Sequence, residues 1–252
     1  MTHAISDAMT MTDRSMRLAR RNLDTLFAAI LLPLMMMALF VYVFGGAITT
    51  GTEYINYIVP GILLLTTGYG AASTAMVVAD DMHSGMIDRL RSLPIHSFAV
   101  LTGHVAASVA RNALSTAIVV LASLAMGFRP NGGLVDWLGV VGLLLLYVVG
   151  MSWLAAGLGV IARSVESAST LSFFMLFIPY LSSAFVRPES MPAWLRPVSE
   201  HQPITPVTET VRSFLIGTPI GNYGWVALAW CCALLVFSMA LATSLYRRRT
   251  NR

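Results

Sequence analysis

The sequence predicts an all-α, polytopic membrane protein with six transmembrane helices, an N-terminal amphipathic interfacial helix, a short cytoplasmic amphipathic helix and an outer re-entrant helix pair. Three observations carry the membrane part. Of 252 residues, 56% are hydrophobic and 11% charged, where soluble domains have roughly 45–50% and about 25%. The mean hydropathy of +0.72 is spread along the chain, leaving no polar stretch of the ~100 residues that a separate soluble domain needs. Apolar runs of about 20 residues, enough to cross a ~30 Å hydrocarbon core, recur between short polar breaks. A disordered chain, a nucleic-acid-binding domain and a cytosolic enzyme are excluded by this composition, and the whole of 1–252 is expected to form one transmembrane domain.

The elements follow in order. Met11, Met16, Leu18 and Leu23 alternate with Arg14, Arg17, Arg20 and Arg21, which predicts an amphipathic helix over 10–24, starting near Asp13 and lying on the anionic inner leaflet. A disordered basic tail is the alternative. The first span is expected over 26–46. Basic residues followed by an apolar run resemble a secretory signal, but signal h-regions span only about 7–15 residues, so this segment is read as a retained crossing. Pro33 should kink it.

The second span is expected over 57–79. The third run, 98–128, exceeds what a crossing requires and contains His104 and Arg111. Its crossing is placed at 109–128, with Arg111 snorkelling to the interface. A functional cation in a lateral pathway is the alternative. Spans four, five and six are expected over 137–162, 168–186 and 223–246, with Pro179 kinking the fifth.

Arginine fixes the orientation. Eleven arginines fall on one side of the six-span arrangement and four on the other, Arg111 aside, which places both termini in the cytoplasm by the positive-inside rule. In a bacterium the membrane would be the inner (cell) membrane. All 16 basic residues are arginine, so a P-loop, whose lysine grips the β and γ phosphates, cannot be built. Any ATP-driven work therefore needs a second polypeptide. Cys231 and Cys232 are adjacent in an apolar run and read as small buried residues.

Two polar segments interrupt the spans. In the first, Met86, Ile87, Leu90 and Leu93 share one helical face, with Asp88, Arg89 and Arg91 around it and Pro94 ending it. This predicts a short helix within 81–95 at the cytoplasmic surface, a solvated turn being the alternative. Asp80, Asp81, His83 and Asp88 superficially offer metal ligands, but arginines neutralise them and no Cys/His cluster accompanies them, so no metal is expected. The second segment, on the outer side, interleaves Trp194, Leu195, Ile204, Val207, Val211, Phe214, Leu215 and Ile216 with Glu189, Glu200, Glu209 and several prolines. Short helices are expected within 188–217, around 191–198 and 206–216. Thr205-Pro206 marks a start and Gly217 a stop. They either re-enter the membrane among the other helices or lie on its surface.

Gly85-Met86-Ile87-Asp88-Arg89-Leu90-Arg91-Ser92-Leu93-Pro94-Ile95, followed by Ala99-Val100-Leu101-Thr102-Gly103, resembles the cytoplasmic-loop signature of type-2 ABC transporter permeases, particularly the daunorubicin-resistance-like branch. Thr205-Pro206-Val207 with Arg212 and Gly217 resembles that family's segment before the last span. His96 and His104 depart from the arginines expected in that branch. The resemblance implies a transmembrane subunit that pairs with a second permease chain, identical or not, and docks two ATP-binding-cassette ATPase subunits. Those partners would hold the ATP and Mg; this chain needs no cofactor.

In that reading Asp81, Gly85, Asp88, Arg89, Leu90, Arg91 and Pro94 couple to the ATPase. Arg14, Arg17, Arg20 and Arg21 form the interfacial helix against membrane lipid, and Trp194, Pro206, Glu209, Arg212 and Gly217 form the outer segment. The implied function is export of a hydrophobic drug, lipid or glycoconjugate. A secondary transporter or channel is the rival, but the expected spans carry no Asp or Glu through which a proton or sodium gradient commonly acts. An intramembrane enzyme is disfavoured: neither H-E-x-x-H nor G-x-S-x-G occurs, the histidines are dispersed, and no catalytic residue is assigned.

Overall fold

The computed structural model describes residues 11–15, 23–48, 53–85 and 97–250, all of them helix or connecting turns with no strand among them. Helix α1 covers 11–15, and α2 covers Leu23–Ala38 before widening into a π-helical stretch, Leu39–Phe44. Then follow α3 (Tyr54–His83), α4 (Ser97–Ala125), α5 (Leu134–Ile161) and α6 (Val165–Phe177), the last running into a 3-10 turn at Ile178–Leu181. Short α7 (Arg196–His201) and α8 (Ile204–Ile216) precede the final helix, α9 (Tyr223–Thr250).

Among the described residues, five helices are long and apolar enough to cross a membrane: Phe27–Phe44, Tyr54–His83, Ala99–Ala125, Leu134–Ile161 and Tyr223–Arg249. The sixth expected crossing, 168–186, is shorter as a helix: the apolar stretch is Val165–Leu181. Its end has a physical cause. Pro179 has no amide to continue the ladder, and Ser182–Phe185 turn away, with Ser182 N–H donating to the Pro179 carbonyl at 3.1 Å. The chain therefore leaves the helix at a proline expected only to kink it.

Helix α3 is the axis of the bundle. α2, α4, α5, α6 and α8 all pack on it, and nearly all of its residues from Tyr54 to Ala79 are buried. Small residues allow this, since Gly61, Gly68, Gly70, Ala71, Ala72, Ser73 and Ala75 let neighbouring backbones approach. Helices α5 and α9 meet in the same way, Gly150 facing Leu234 and Gly157 facing Ala242. Several polar side chains inside the bundle find local partners: Ser108 and Ser152 hydroxyls lie 2.9 Å apart, Asn112 Nδ2 donates to the Ser108 carbonyl at 2.9 Å, and Thr66 Oγ1 donates back to the Ile62 carbonyl at 2.7 Å. By contrast α2, α6 and α9 turn Phe27, Met35, Tyr42, Phe174, Trp225 and Val236 outward, as helices in contact with hydrocarbon do.

Helix directions alternate, so α1, His83, Arg163 and Arg249 gather at one end of the bundle, the basal end. Residues 187–222 gather at the other, the distal end.

Candidate functional site

At the basal end three segments meet on one carboxylate. Asp81, 9% exposed in the last turn of α3, accepts from Arg14 Nη1 at 3.2 Å and Arg14 Nη2 at 3.4 Å. His104 of α4, itself buried, brings Nε2 to 3.2 Å from the same carboxylate. A forked guanidinium suits a carboxylate geometrically, so Asp81 fastens α1 to the α3–α4 pair. Gly103 completes the seat: a Cβ there would stand 2.8–2.9 Å from Met11, so only glycine lets α1 lie this close.

The neighbouring helix ends are tied too. His83 Nε2 lies 3.1 Å from the Ala162 carbonyl oxygen. Arg249 Nη1 donates to that oxygen at 3.0 Å and also to the Val160 carbonyl. Among the expected coupling residues, Asp81 is the basal anchor and Gly85, at φ +72°, is the left-handed residue where the chain leaves α3. Such a conformation favours glycine. Asp88, Arg89, Leu90, Arg91 and Pro94 lie outside the described residues, as do Arg17, Arg20 and Arg21.

At the distal end α8 is held down by Arg212, which is 7% exposed. Its Nε donates to the Tyr57 carbonyl at 3.1 Å, its Nη2 donates to the Ser183 carbonyl at 3.0 Å, and its Nη1 donates to Glu209. The guanidinium also stacks on the Tyr57 ring, 3.8 Å from its centre, an attraction that desolvation strengthens. Tyr57 Oη donates to the Ser183 carbonyl at 2.8 Å and Tyr54 Oη to the Phe185 carbonyl at 3.0 Å. The carbonyls freed where α6 ends are thus satisfied by side chains from α3 and α8.

Helix α8 starts at Ile204 rather than Thr205, keeping Pro206 in its first turn, and stops at Gly217 with φ +77°. Thr205 Oγ1 donates to the Ser199 carbonyl at 2.6 Å and accepts from Ser183 N–H at 3.2 Å. α7 lies at Arg196–His201, later than the expected 191–198, and Glu200 accepts from Arg196 Nε at 2.7 Å. This hydrogen bond raises the Arg196 pKa above its ordinary value. Trp194 stands apart at 75% exposed, while Pro206, Glu209 and Arg212 lie on α8 and Gly217 caps its end. Between α8 and the turn at 187–190 opens a vestibule of 1060 Å³, with Tyr57, Glu189, Glu200, His201, Glu209 and Arg212 on its walls.

Sequence reasoning missed Tyr57 and Ser183. The signal for Tyr57 was the pair Tyr54 and Tyr57, three apart on one helical face, at the head of a span; Ser183 gave none, because its carbonyl is used. Arg111 also differs from expectation. It turns toward α3, with Nη2 3.3 Å from Thr74 Oγ1 and 3.5 Å from the Gly70 carbonyl, and its buried Nε has no hydrogen-bond partner among the described residues. No group of three or more His, Cys, Asp or Glu suited to a metal ion occurs among the described residues.

Several helices of membrane length and composition suit a multi-pass membrane protein. The chain matches the ABC-2 type transporter model over residues 7–216 and belongs to that family. It is 32% identical over 253 residues to the daunorubicin resistance ABC transporter permease protein DrrB1 of Streptomyces coeruleorubidus, covering 98% of this chain and 88% of that one. It is 25% identical over 255 residues to the probable doxorubicin resistance ABC transporter permease protein DrrC of Mycobacterium tuberculosis, covering 98% and 90%. A putative transport permease, ycf38, of Porphyra purpurea is 25% identical over 234 residues, covering 86% and 79%. The chain is thus the membrane component of an ATP-driven transporter, a class in which ATP is hydrolysed by a separate subunit.

Proposed function

We propose that this chain is the membrane half of an exporter for hydrophobic, drug-like compounds, lipids and glycoconjugates being the other cargo classes its apolar interior suits. The observation that carries this reading is the near full-length similarity to a permease whose name speaks of daunorubicin resistance. In this reading a homo- or heterodimer of permeases sits in a bacterial inner membrane with both termini cytoplasmic, and the basal end faces a pair of ATPase subunits. Residues 81–95 transmit nucleotide-driven closure, anchored through Asp81, while 10–24 lies on the inner leaflet. Six crossings are completed by α6, and α7–α8 form a re-entrant cap. The burial of α8 between α3, α5 and α9 supports re-entry over a surface-lying position. A conformational bias from hydrolysis is what lets such a bundle move cargo uphill.

The test is reconstitution of the chain with its ATPase partner in inside-out vesicles, following daunorubicin accumulation by fluorescence quenching. Accumulation that needs ATP, Mg and both proteins is expected. Accumulation by the permease alone, driven by an ion gradient, would overturn the reading.

A further inference from the structure

At the basal end a pocket of 350 Å³ opens between the end of α5 and the last turns of α9, lined by Ile161, Ala162, Arg163, Leu245, Arg248 and Arg249. Three guanidinium groups share it and no carboxylate does. Arg249 is held in place, since its Nη1 donates to the carbonyls of Val160 and Ala162. Arg163 and Arg248 are exposed, and among the described residues neither guanidinium has a hydrogen bond or an ion pair. Like charges gathered around one pocket repel one another, and an anion placed between them replaces that repulsion with attraction. The pocket also has an apolar side, formed by Leu245 and by Ile161, which is 47% exposed.

We infer that this pocket binds the phosphate of an anionic phospholipid, whose glycerol and upper acyl carbons lie against Ile161 and Leu245. Its level in the membrane carries the inference. No charged residue lies between Tyr223 and Tyr246 of α9, and Arg247 begins a run of three arginines. Ile161 is the last residue of α5, and Arg163 follows two positions later. The apolar walls are thus the last hydrocarbon-level residues of two spans, and Arg248 stands about 4.5 Å beyond Leu245 by helical rise. This matches the step from acyl chain to phosphate at the edge of the hydrocarbon core. Basic pockets between spanning helices suit anionic head groups, and a forked guanidinium matches phosphate oxygens. Helix α9 is also peripheral: it packs on α5, α8 and α4 and turns Val236, Phe237 and Met239 outward, so a lipid reaches the pocket from the side. An acidic protein surface would match the arginines but would leave Ile161 and Leu245 without an apolar partner.

The delipidated permease in detergent, without its ATPase, tests this independently of whether the chain exports anything. Native mass spectrometry follows the binding of dioleoyl phosphatidylglycerol, with dioleoyl phosphatidylcholine as the lipid of no net charge and glycerol 3-phosphate as the soluble phosphate. Saturable binding of phosphatidylglycerol in preference to phosphatidylcholine is expected, and glycerol 3-phosphate at the same concentration should not displace it. Arg248→Gln should weaken phosphatidylglycerol about tenfold, the worth of a hydrogen bond to a charged group, and Arg163→Gln with Arg248→Gln should remove the preference. Arg247→Gln takes the same charge from the same turn of α9 but off the pocket wall, and should change binding less than about twofold. Arg163→Lys with Arg248→Lys keeps both charges and should keep the preference, which separates a lost charge from a lost fold. The proposal is overturned if phosphatidylglycerol binds no better than phosphatidylcholine, if glycerol 3-phosphate displaces it, or if Arg247→Gln weakens it as much as Arg248→Gln. It is overturned equally if the double glutamine variant retains the lipid but no longer binds the ATPase, which would make the pocket a protein contact.

Discussion

Arg212 of α8 both stacks on the Tyr57 ring, 3.8 Å from its centre, and donates through Nε to the Tyr57 backbone carbonyl at 3.1 Å. One side chain therefore reads the face and the main chain of the same residue, at the point where α3 begins its descent through the bundle. Its other donors reach Ser183 and Glu209, so α3, the turn after α6 and α8 all depend on it.

Replacing Arg212 with lysine keeps a cation but loses the fork that serves three acceptors, a substitution that is not conservative at such a site. Arg212→Lys is expected to destabilise the detergent-solubilised permease by about 2–3 kcal/mol, the cost of buried charged hydrogen bonds. Tyr57→Phe, which removes one hydroxyl bond, should cost about 1 kcal/mol. Thermal unfolding of the two variants checks the order, and equal losses would contradict the special role of the guanidinium.

Asp81 contacts two side chains, Arg14 and His104, whereas Arg14 serves one acceptor, so their substitutions are unequal. Asp81→Asn is expected to reduce export more than Arg14→Ala, because it also deprives His104 of its partner. Stability measurements on the two single variants and the double variant should show a coupling energy of about 0.5–3 kcal/mol for directly interacting residues. Additive losses would show that the pair does not act together.

Within the expected coupling segment, Asp88→Ala, Arg89→Ala and Leu90→Ala combined should leave the permease inserted and able to bind its ATPase, yet separate hydrolysis from transport. Vesicle ATPase activity and cargo accumulation, measured side by side, decide this. Unchanged accumulation would remove the coupling role from 81–95.

Arg111 has no carboxylate within hydrogen-bonding distance among the described residues, and its contacts to Thr74 and Gly70, at 3.3 and 3.5 Å, are long. A cation held this weakly contributes little to folding, since desolvation offsets its attractions. Arg111→Met should therefore retain the parent's thermal midpoint or exceed it. A loss of more than about 2 kcal/mol would reveal a strong partner and refute the weak-contact account.

The long apolar helices were legible because a hydrocarbon solvent writes its thickness into the sequence as runs of fixed length. Gly217 was legible as a stop because a left-handed backbone favours a residue without a Cβ. Helix α6 was less so: Phe173, Phe174, Leu176 and Phe177 continue into Ile178 and Leu181 without a change of hydropathy, and only Pro179 hints that the backbone turns out of the helix. The basal node was half legible. Asp81 and Arg14 stood out as charges, but what joins them is Gly103 admitting α1 between them, a contact across 92 positions of chain from Met11.

Helix α3 carries Tyr57 near one end and Asp81 near the other, 24 residues or about 36 Å apart by helical rise, in one continuous helix in which Pro60, close to the Tyr57 end, is the one residue without an amide to donate. A rod so enclosed can slide or tilt but cannot easily bend, so displacement at its foot and displacement at its head are one motion. With an ATPase docked at the basal end as proposed, thermodynamic reciprocity requires that whatever occupies the distal vestibule and favours one position of that rod also alters how readily the ATPase grips its nucleotide. Cargo arriving at the far side would then be felt at the near side before anything has crossed.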